Sequence, residues 1–409
     1  MSYDFTTLVS RKNTGASKWE QMYSWNPNVA DDVVPLSVAD MEFKPAPEIV
    51  EGLKKHLDTA ILGYTKAYPD FLDSVISWMD RKHKYKVEKE WILNTPGVVN
   101  AFYAAVNAFY AAVNAFYAAV NAFTEPGEGV IIFKPVYYPF SMAIEKNERN
   151  IINCPLIEND GYYTIDFEKF DEISKDPKNK LLIFCSPHNP VGRVWTKEEL
   201  EKVAEISVKN DLVVVSDEIW GDLIMPGYEH YMMGRLGGEI EERLITCTAP
   251  SKTFNLAGLA TSSIIIKNKE IREKYSEMLQ VMRSSSVNIL GFKACEIAYN
   301  QGEKWLEELI TVLDTNQKVV KEFFEKKFPK IKARLIEGTY LQWLDFKALE
   351  ISDEELERFM HMDAQFFTDE GYIFGEEGSG YERINLAAPT WVIEAELERL
   401  GKALEKIYK

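Results

Sequence analysis

The sequence predicts an α/β fold built on a mainly parallel sheet. Six short apolar runs alternate with helical segments, at residues 130–133, 151–154, 181–184, 212–215, 244–247 and 263–266. Continuous apolar runs are typical of strands buried on both faces, and their alternation with helices favours parallel pairing. From residue 305 the pattern changes to long helices, with short strands near 338–346 and 383–387. This change predicts a second, smaller α+β domain.

The chain is expected to divide into an arm and two domains. At 409 residues it is longer than a single compact core usually allows. Residues 1–45 are polar, aromatic and irregular, which favours an arm that lies on another surface. We expect the large domain to span residues 46–300 and the small domain to span residues 301–409, with the arm joining the small domain.

Composition and charge exclude several classes of partner. The net charge of −17 argues against nucleic-acid and anionic-membrane binding, which need basic patches. The four cysteines are widely spaced and form no metal-binding pair, so we expect buried free thiols and no metal site. The N-terminus lacks a basic segment followed by an apolar one, which predicts no signal peptide. A cytoplasmic location fits these features.

A lysine after one of the predicted strands is the first candidate for chemistry. Lys252 lies in the segment 249–259, Ala-Pro-Ser-Lys-Thr-Phe-Asn-Leu-Ala-Gly-Leu, just beyond the apolar run 244–247. A lysine on such a loop can hold a carbonyl cofactor as a Schiff base. A surface lysine is the alternative, and a Ser-Lys pair alone does not exclude it.

Two further polar loops follow predicted strands upstream. Asn189 lies after the run 181–184, and Asp217 lies after the run 212–215. Open α/β sheets bind ligands at the carboxyl ends of their strands, so we expect both side chains to meet Lys252 there. The three groups suit a pyridine cofactor. Asp217 can keep the ring nitrogen protonated, Asn189 can bond the phenolic oxygen, and Lys252 can form the imine.

These motifs and several longer segments resemble one enzyme family. The matching segments extend nearly from end to end, at residues 4–7, 34–43, 62–65, 135–140, 185–193, 249–259 and 382–389. The chain resembles the fold-type I pyridoxal-phosphate enzymes, specifically the cystathionine β-lyase (C–S lyase) branch of the class I/II aminotransferase superfamily. The resemblance implies a mainly parallel seven-stranded sheet in the large domain and pyridoxal 5′-phosphate as the cofactor.

The resemblance also implies roles around the cofactor ring and the substrate. Tyr137 is expected to stack on the pyridine ring, and Tyr138 to lean towards the substrate. Arg383 matches the arginine that clamps the α-carboxylate of an amino acid, for which a guanidinium is well shaped. Asn189 is expected near that carboxylate as well.

The phosphate group and the subunit interface have their own implied residues. A glycine before a long helix offers free backbone N–H groups to a phosphate, and Gly97, Val98 and Val99 match that position. Ser251 is expected to donate to the same phosphate. Tyr64 matches a tyrosine that reaches the phosphate of the partner subunit, which implies a homodimer with shared sites.

The implied activity is β-cleavage of a carbon–sulfur bond. Substrates of the cysteine or cystathionine type are expected to give pyruvate, ammonia and a sulfide or thiol, with Lys252 as the base at Cα. An aminotransferase is the nearest alternative, because it uses the same residue types. A regulatory binding protein is another, and it predicts a damaged site. The chain departs from the family at Trp220, where many relatives carry His or Tyr. An indole cannot accept a hydrogen bond, so this position is not expected to tune the cofactor through one.

Residues 100–123 contain a tandem repeat. The heptad Asn-Ala-Phe-Tyr-Ala-Ala-Val occurs three times without a mismatch, from Asn100, Asn107 and Asn114. Its apolar spacing predicts a helix with one apolar seam, and a membrane span or a coiled-coil module are the alternatives. The identical copies indicate a tandem duplication or an engineered insertion of two units. We expect one unit to pack at the phosphate end and the surplus to protrude before Val130.

Overall fold

Two main sheets organise the fold in the computed structural model, which describes residues 2–96 and 114–408. The strands are β1 (Ile92–Thr95), β2 (Gly129–Ile132), β3 (Asn150–Asn153), β4 (Ile157–Asn159), β5 (Tyr162–Thr164), β6 (Asn179–Cys185), β7 (Val213–Asp217), β8 (Leu244–Thr248), β9 (Ser262–Ile265), β10 (Lys332–Ala333), β11 (Leu341–Asp345), β12 (Asp369–Glu370) and β13 (Tyr381–Asn385).

Helices cover these sheets. They are α1 (Ser17–Trp25), α2 (Pro47–Leu57), α3 (Pro69–His83), α4 (Asn114–Phe123), α5 (Pro139–Glu145), α6 (Phe167–Ser174), α7 (Lys197–Lys209), α8 (Gly238–Glu241), α9 (Pro250–Thr253), α10 (Lys269–Val281), α11 (Ile289–Gln301), α12 (Glu303–Lys327), α13 (Asp353–Arg358) and α14 (Thr390–Leu404). Among residues 2–96 and 114–408, no helix combines the length and the apolar character that a membrane crossing requires.

The larger sheet has seven strands in the order β1-β9-β8-β7-β6-β2-β3. Strands β3, β2, β6, β7 and β8 run parallel to one another, as their Val, Ile and Leu runs predict. The strand predicted at 263–266 is β9, and it pairs antiparallel with both β8 and β1. The fold class predicted from the sequence is confirmed, with one reversed strand, β9, near one edge of the sheet.

The smaller sheet is antiparallel, in the order β10-β11-β13-β12. Helices α12 and α14 pack against each other beside it. The N-terminal segment adds backbone hydrogen bonds here, because Leu36 N–H donates to Phe367 O and Asn385 N–H donates to Leu36 O. The segment 1–45 is less irregular than its sequence indicates, because it contains α1, whose Trp19 and Met22 are buried. The domain boundaries at residues 45 and 300 stay predictions.

The C-terminal end of the repeat lies in the core rather than outside it. Helix α4 consists of the third copy and the start of a fourth, and its residues 115–120 are almost fully buried. The Phe116 ring meets Phe140 edge-on at 4.7 Å, and the Tyr275 hydroxyl donates to Ala115 O at 3.1 Å. The expectation that the surplus protrudes just before Val130 is therefore wrong for α4. The first two copies lie at residues 100–113, outside the described residues.

Deleting residues 107–120 should leave the protein folded and raise its thermal stability or solubility. Because the copies are identical, this deletion yields the same sequence as deleting residues 100–113. One complete heptad therefore remains to make the contacts of α4. A thermal unfolding curve and the amount of soluble protein test the expectation.

Deleting residues 100–120, which removes every copy, is the matched control and should cost most of the stability. Large cavities left by several lost core side chains are strongly destabilising. If removal of two copies lowers the melting temperature as much as removal of three, the extra copies are part of the packed fold.

Candidate active site

Three polar side chains meet at the carboxyl ends of three adjacent strands. Asn189 follows β6, Asp217 ends β7, and Lys252 lies in α9 directly after β8. Since β6, β7 and β8 are parallel neighbours, their carboxyl ends lie side by side. The cavity there is lined by Ala39, Tyr137, Cys185, Asn189, Asp217, Ile219, Trp220 and Lys252. The structure thus brings together the trio predicted from the sequence.

Lys252 is a buried amine with a lowered pKa. Its side chain extends into the cavity, and Nζ donates a hydrogen bond to the Ala39 carbonyl oxygen at 2.8 Å. Burial lowers its pKa to about 8, although the nearby Asp40 carboxylate acts in the opposite direction. An amine with this pKa is partly deprotonated near neutral pH, so it can act both as a nucleophile and as a general base.

Asp217 is a second buried titratable group that lines the cavity. Only 1% of its surface is exposed, and burial raises its pKa to about 7. The N–H of Ile219 donates to it at 3.5 Å and acts against that rise. A cationic ring nitrogen placed beside this carboxylate would favour its ionised form. The site therefore fits a protonated pyridine beside Asp217 and a carbonyl carbon beside Lys252.

The Asn189 loop is fixed by contacts with the segment that carries Tyr137. The Tyr137 N–H donates to Asn189 O at 3.1 Å, and Nε2 of the buried His188 lies 2.9 Å from Pro135 O. Burial lowers the pKa of His188 to about 4, so its ring is neutral and structural. Burial raises the pKa of the Tyr137 phenol well above its usual value, which keeps it a neutral hydrogen-bond donor. Tyr138 packs beside it, with ring centroids 5.6 Å apart.

Arg383 reaches the site from the smaller sheet. It lies on β13, is 3% exposed, and donates from Nη1 to Asn189 Oδ1 at 2.7 Å. Its Nε and Nη2 donate to Asp369 Oδ2, at 3.2 and 2.5 Å. Asp369 lies directly opposite Arg383 in the β12–β13 register, so the pair is set by the sheet. Asp369 was not predicted, because short, polar β12 gives little strand signal in the sequence.

A backbone strap, residues 38–40, borders the cavity, which Ala39 lines. Val38 adopts a left-handed conformation with φ of 53°, which is costly for a β-branched residue. Its N–H donates to Asp369 at 3.0 Å, and Asn385 Nδ2 donates to the carbonyls of Val38 and Asp40 at 2.7 Å each. These contacts aim the Ala39 carbonyl at Lys252. The segment 34–43 carries part of the family resemblance, but its contact with Lys252 could not be predicted from sequence, since a main-chain oxygen leaves no residue signature.

The remaining predicted residues are placed differently. Ser251 is buried in α9 beside the lysine. Tyr64 is fully exposed on the surface and is not part of the cavity of its own chain. The predicted phosphate segment, Gly97, Val98 and Val99, lies outside the described residues.

The fold and this site define a family. Residues 31–404 match the family model described as aminotransferase class I and II, and the chain belongs to this family. Its curated relatives include the cystathionine β-lyase PatB of Bacillus subtilis, 38% identical over 98% of this chain and 100% of the relative. Another is the protein MalY of Escherichia coli, 29% identical over 99% of this chain and 100% of the relative.

Solved structures agree with these relatives. Cystalysin from Treponema denticola, crystallised with a pyridoxal 5′-phosphate cofactor, is 54% identical and superposes with a TM-score of 0.95 over 99% of this chain and 100% of cystalysin. The pyridoxal-phosphate-bound C–S lyase of Staphylococcus hominis is 28% identical, with a TM-score of 0.87 over 99% of this chain and 98% of the lyase. The predicted family and the fold-type I architecture are confirmed.

Proposed function

We propose that this protein is a pyridoxal-phosphate-dependent carbon–sulfur β-lyase. It converts cysteine or cystathionine-type amino acids and water to pyruvate, ammonia and a sulfide or thiol. The observation that carries the proposal is the buried Lys252 amine, which shares one cavity with Asp217. Relatives named as cystathionine β-lyase and C–S lyase support the choice of reaction.

The residues of the cavity fit the cofactor one by one. Lys252 Nζ would hold it covalently at its carbonyl carbon, and the Asp217 carboxylate would pair with its ring nitrogen. Asn189 would bond the phenolic oxygen, and Tyr137 would lie against the ring. Ser251 and the segment 97–99 are the proposed phosphate donors. When bound, pyridoxal phosphate supplies an electron-poor ring that stabilises negative charge on the substrate Cα.

The substrate is held and deprotonated by side chains of this chain. Arg383 binds the α-carboxylate, which places the Cα–H bond near Lys252. The freed Lys252 Nζ then takes the Cα proton, a role its lowered pKa suits. Tyr138, which packs beside Tyr137, is proposed to contact the substrate near Cβ, from which the sulfur leaves.

An aminotransferase is the alternative, and the products separate the two. The wild-type protein should release pyruvate, ammonia and homocysteine from cystathionine without any added 2-oxo acid. A transaminase needs the 2-oxo acid as amino acceptor and releases no thiol. Formation of product only when a 2-oxo acid is present would overturn the lyase proposal, and the Lys252→Ala variant serves as the blank.

The protein is further proposed to act as a homodimer with shared sites in the cytoplasm. Tyr64 lies beside Ile61 and Leu62, which are 86% and 65% exposed. A run of exposed apolar side chains is typical of a surface that another subunit covers. All four cysteines are buried free thiols, which suits a reducing compartment.

Mixing Tyr64→Phe chains with Lys252→Ala chains should recover activity. Each dimer that contains one chain of each kind has one wild-type site and one doubly altered site. Such dimers make up half of an equal mixture, so up to about a quarter of wild-type activity is expected. Initial rates after mixing and re-equilibration measure the recovery. Mixtures of Arg383→Ala and Lys252→Ala are the control, because both residues belong to the site of one chain. Equal rates in the two mixtures would show that Tyr64 does not act across the interface.

A further inference from the structure

Trp220 faces the amine of Lys252. The Lys252 Nζ lies 5.5 Å from the centre of the Trp220 ring, and both residues are buried. The indole and the Tyr340 ring meet edge to face, with centroids 4.8 Å apart and planes at 79°. The Tyr340 hydroxyl donates to the same Ala39 oxygen that accepts from Lys252, also at 2.8 Å. An aromatic wall and a carbonyl therefore hold the amine from two sides.

Other charged groups around the amine partly cancel. Asp40 favours its protonated form, and so does Asp217 on the cofactor side. Arg383 and Lys18 act in the opposite direction. Asp40 is itself engaged, since its carboxylate lies 3.0 Å from Lys18 Nζ and 2.7 Å from Arg11 Nη2.

The neutral polar groups near the amine add little charge. Burial raises the pKa of Tyr137, Tyr340 and Cys185 well above their usual values, so none is ionised near neutral pH. The indole is the aromatic face that the amine itself approaches.

An indole face distinguishes the two protonation states of an amine. Its quadrupole attracts an ammonium ion within about 6 Å of the ring centre, and the attraction is stronger where water is excluded. It offers a neutral amine no comparable attraction. An indole cannot accept a conventional hydrogen bond, so this position can act on the lysine only through the ring face.

We propose that Trp220 is a positioning residue that holds the free Lys252 ammonium against the Ala39 carbonyl and thereby sets the pH at which the amine loses its proton. The kinetic consequence rests on the proposed function, but the effect on the amine does not. By excluding water, the hydrophobic indole disfavours the protonated Lys252 amine. The attraction of its ring face for the ammonium partly offsets this effect.

Fluorinated tryptophans test the proposal without changing the size of the side chain. Fluorine withdraws electron density from the ring face, so mono-, di- and tetrafluorotryptophan placed at position 220 weaken the attraction stepwise. The pKa of Lys252 should fall with each step, by about 0.4 to 1.5 units for the tetrafluoro ring, which is about a two- to thirty-fold change in protonation. The pKa is measured on the full-length chain freed of cofactor, from the pH dependence of acetylation at Lys252 by mass spectrometry.

The same substitutions at Trp305 are the matched control and should leave the pKa of Lys252 unchanged. In the holoenzyme, the acid limb of the kcat profile should move to lower pH in parallel with the fluorine series. A pKa that does not change across the series at position 220 would overturn the proposal. A shift in pKa without lyase activity would leave it standing and would count against the proposed function instead.

Discussion

The Lys252→Ala variant should lose nearly all turnover while the fold remains intact. The variant lacks both the covalent anchor of the cofactor and the proposed base at Cα, so we expect a loss on the order of 10⁴-fold or more. Initial rates of pyruvate formation measure the loss. Circular dichroism checks the fold, and the cofactor absorbance band, which borohydride reduction removes in the wild type, should be displaced.

Lys267→Ala is the matched control for this variant. Lys267 pairs with Glu241 away from the cavity, so its removal should leave turnover and the cofactor spectrum unchanged. Substantial turnover by the Lys252→Ala variant would remove Lys252 from its role. A colourless wild type that cannot be reconstituted with pyridoxal phosphate would refute the cofactor assignment itself.

The Arg383→Ala variant should bind substrate weakly but keep a normal cofactor spectrum. Loss of a buried charged partner costs on the order of 2–5 kcal/mol, so kcat/KM should fall by about 30- to 5000-fold. The same change leaves the buried Asp369 carboxylate without its partner, so some loss of thermal stability should accompany it.

Two companion variants separate binding from stability. Arg383→Lys keeps the charge but loses the planar guanidinium group. Relative to Arg383→Ala, it should recover more of the thermal stability than of kcat/KM. Asp369→Asn removes the buried acid while Arg383 remains. If kcat/KM is unchanged in Arg383→Ala, the carboxylate of the substrate is bound elsewhere.

The sequence was informative about side chains that follow strands. Asn189, Asp217 and Lys252 could be placed together because each comes after an apolar run, and parallel neighbours end at one edge. Arg383 could not be found this way, because it belongs to a different sheet, and only the family resemblance pointed to it. Tyr340 and Asp369 reach the site through tertiary packing, for which local pattern carries no signal.

Strand direction and the strap were also beyond the reach of local pattern. The run at 263–266 is as apolar as its parallel neighbours, so composition could not indicate that β9 pairs antiparallel with β8. The short helix α1 carries Trp19 and Met22 on its buried face, but its polar remainder hid the periodicity. The strap depends on the left-handed Val38, a conformation that a β-branched residue does not predict.

The packing of α4 has a consequence for how the number of heptad copies can change during evolution. Within the described residues the core packs one heptad, the third copy, and all three copies have the same seven residues in sequence. A step of seven residues turns the seam by only about 20°, whereas a step of three or four residues moves other side chains inward. Replication slippage that adds or removes whole copies therefore leaves the buried contacts of α4 intact. The number of copies is therefore expected to be under weak selection. A substitution within the copy that packs in the core is expected to be under strong selection.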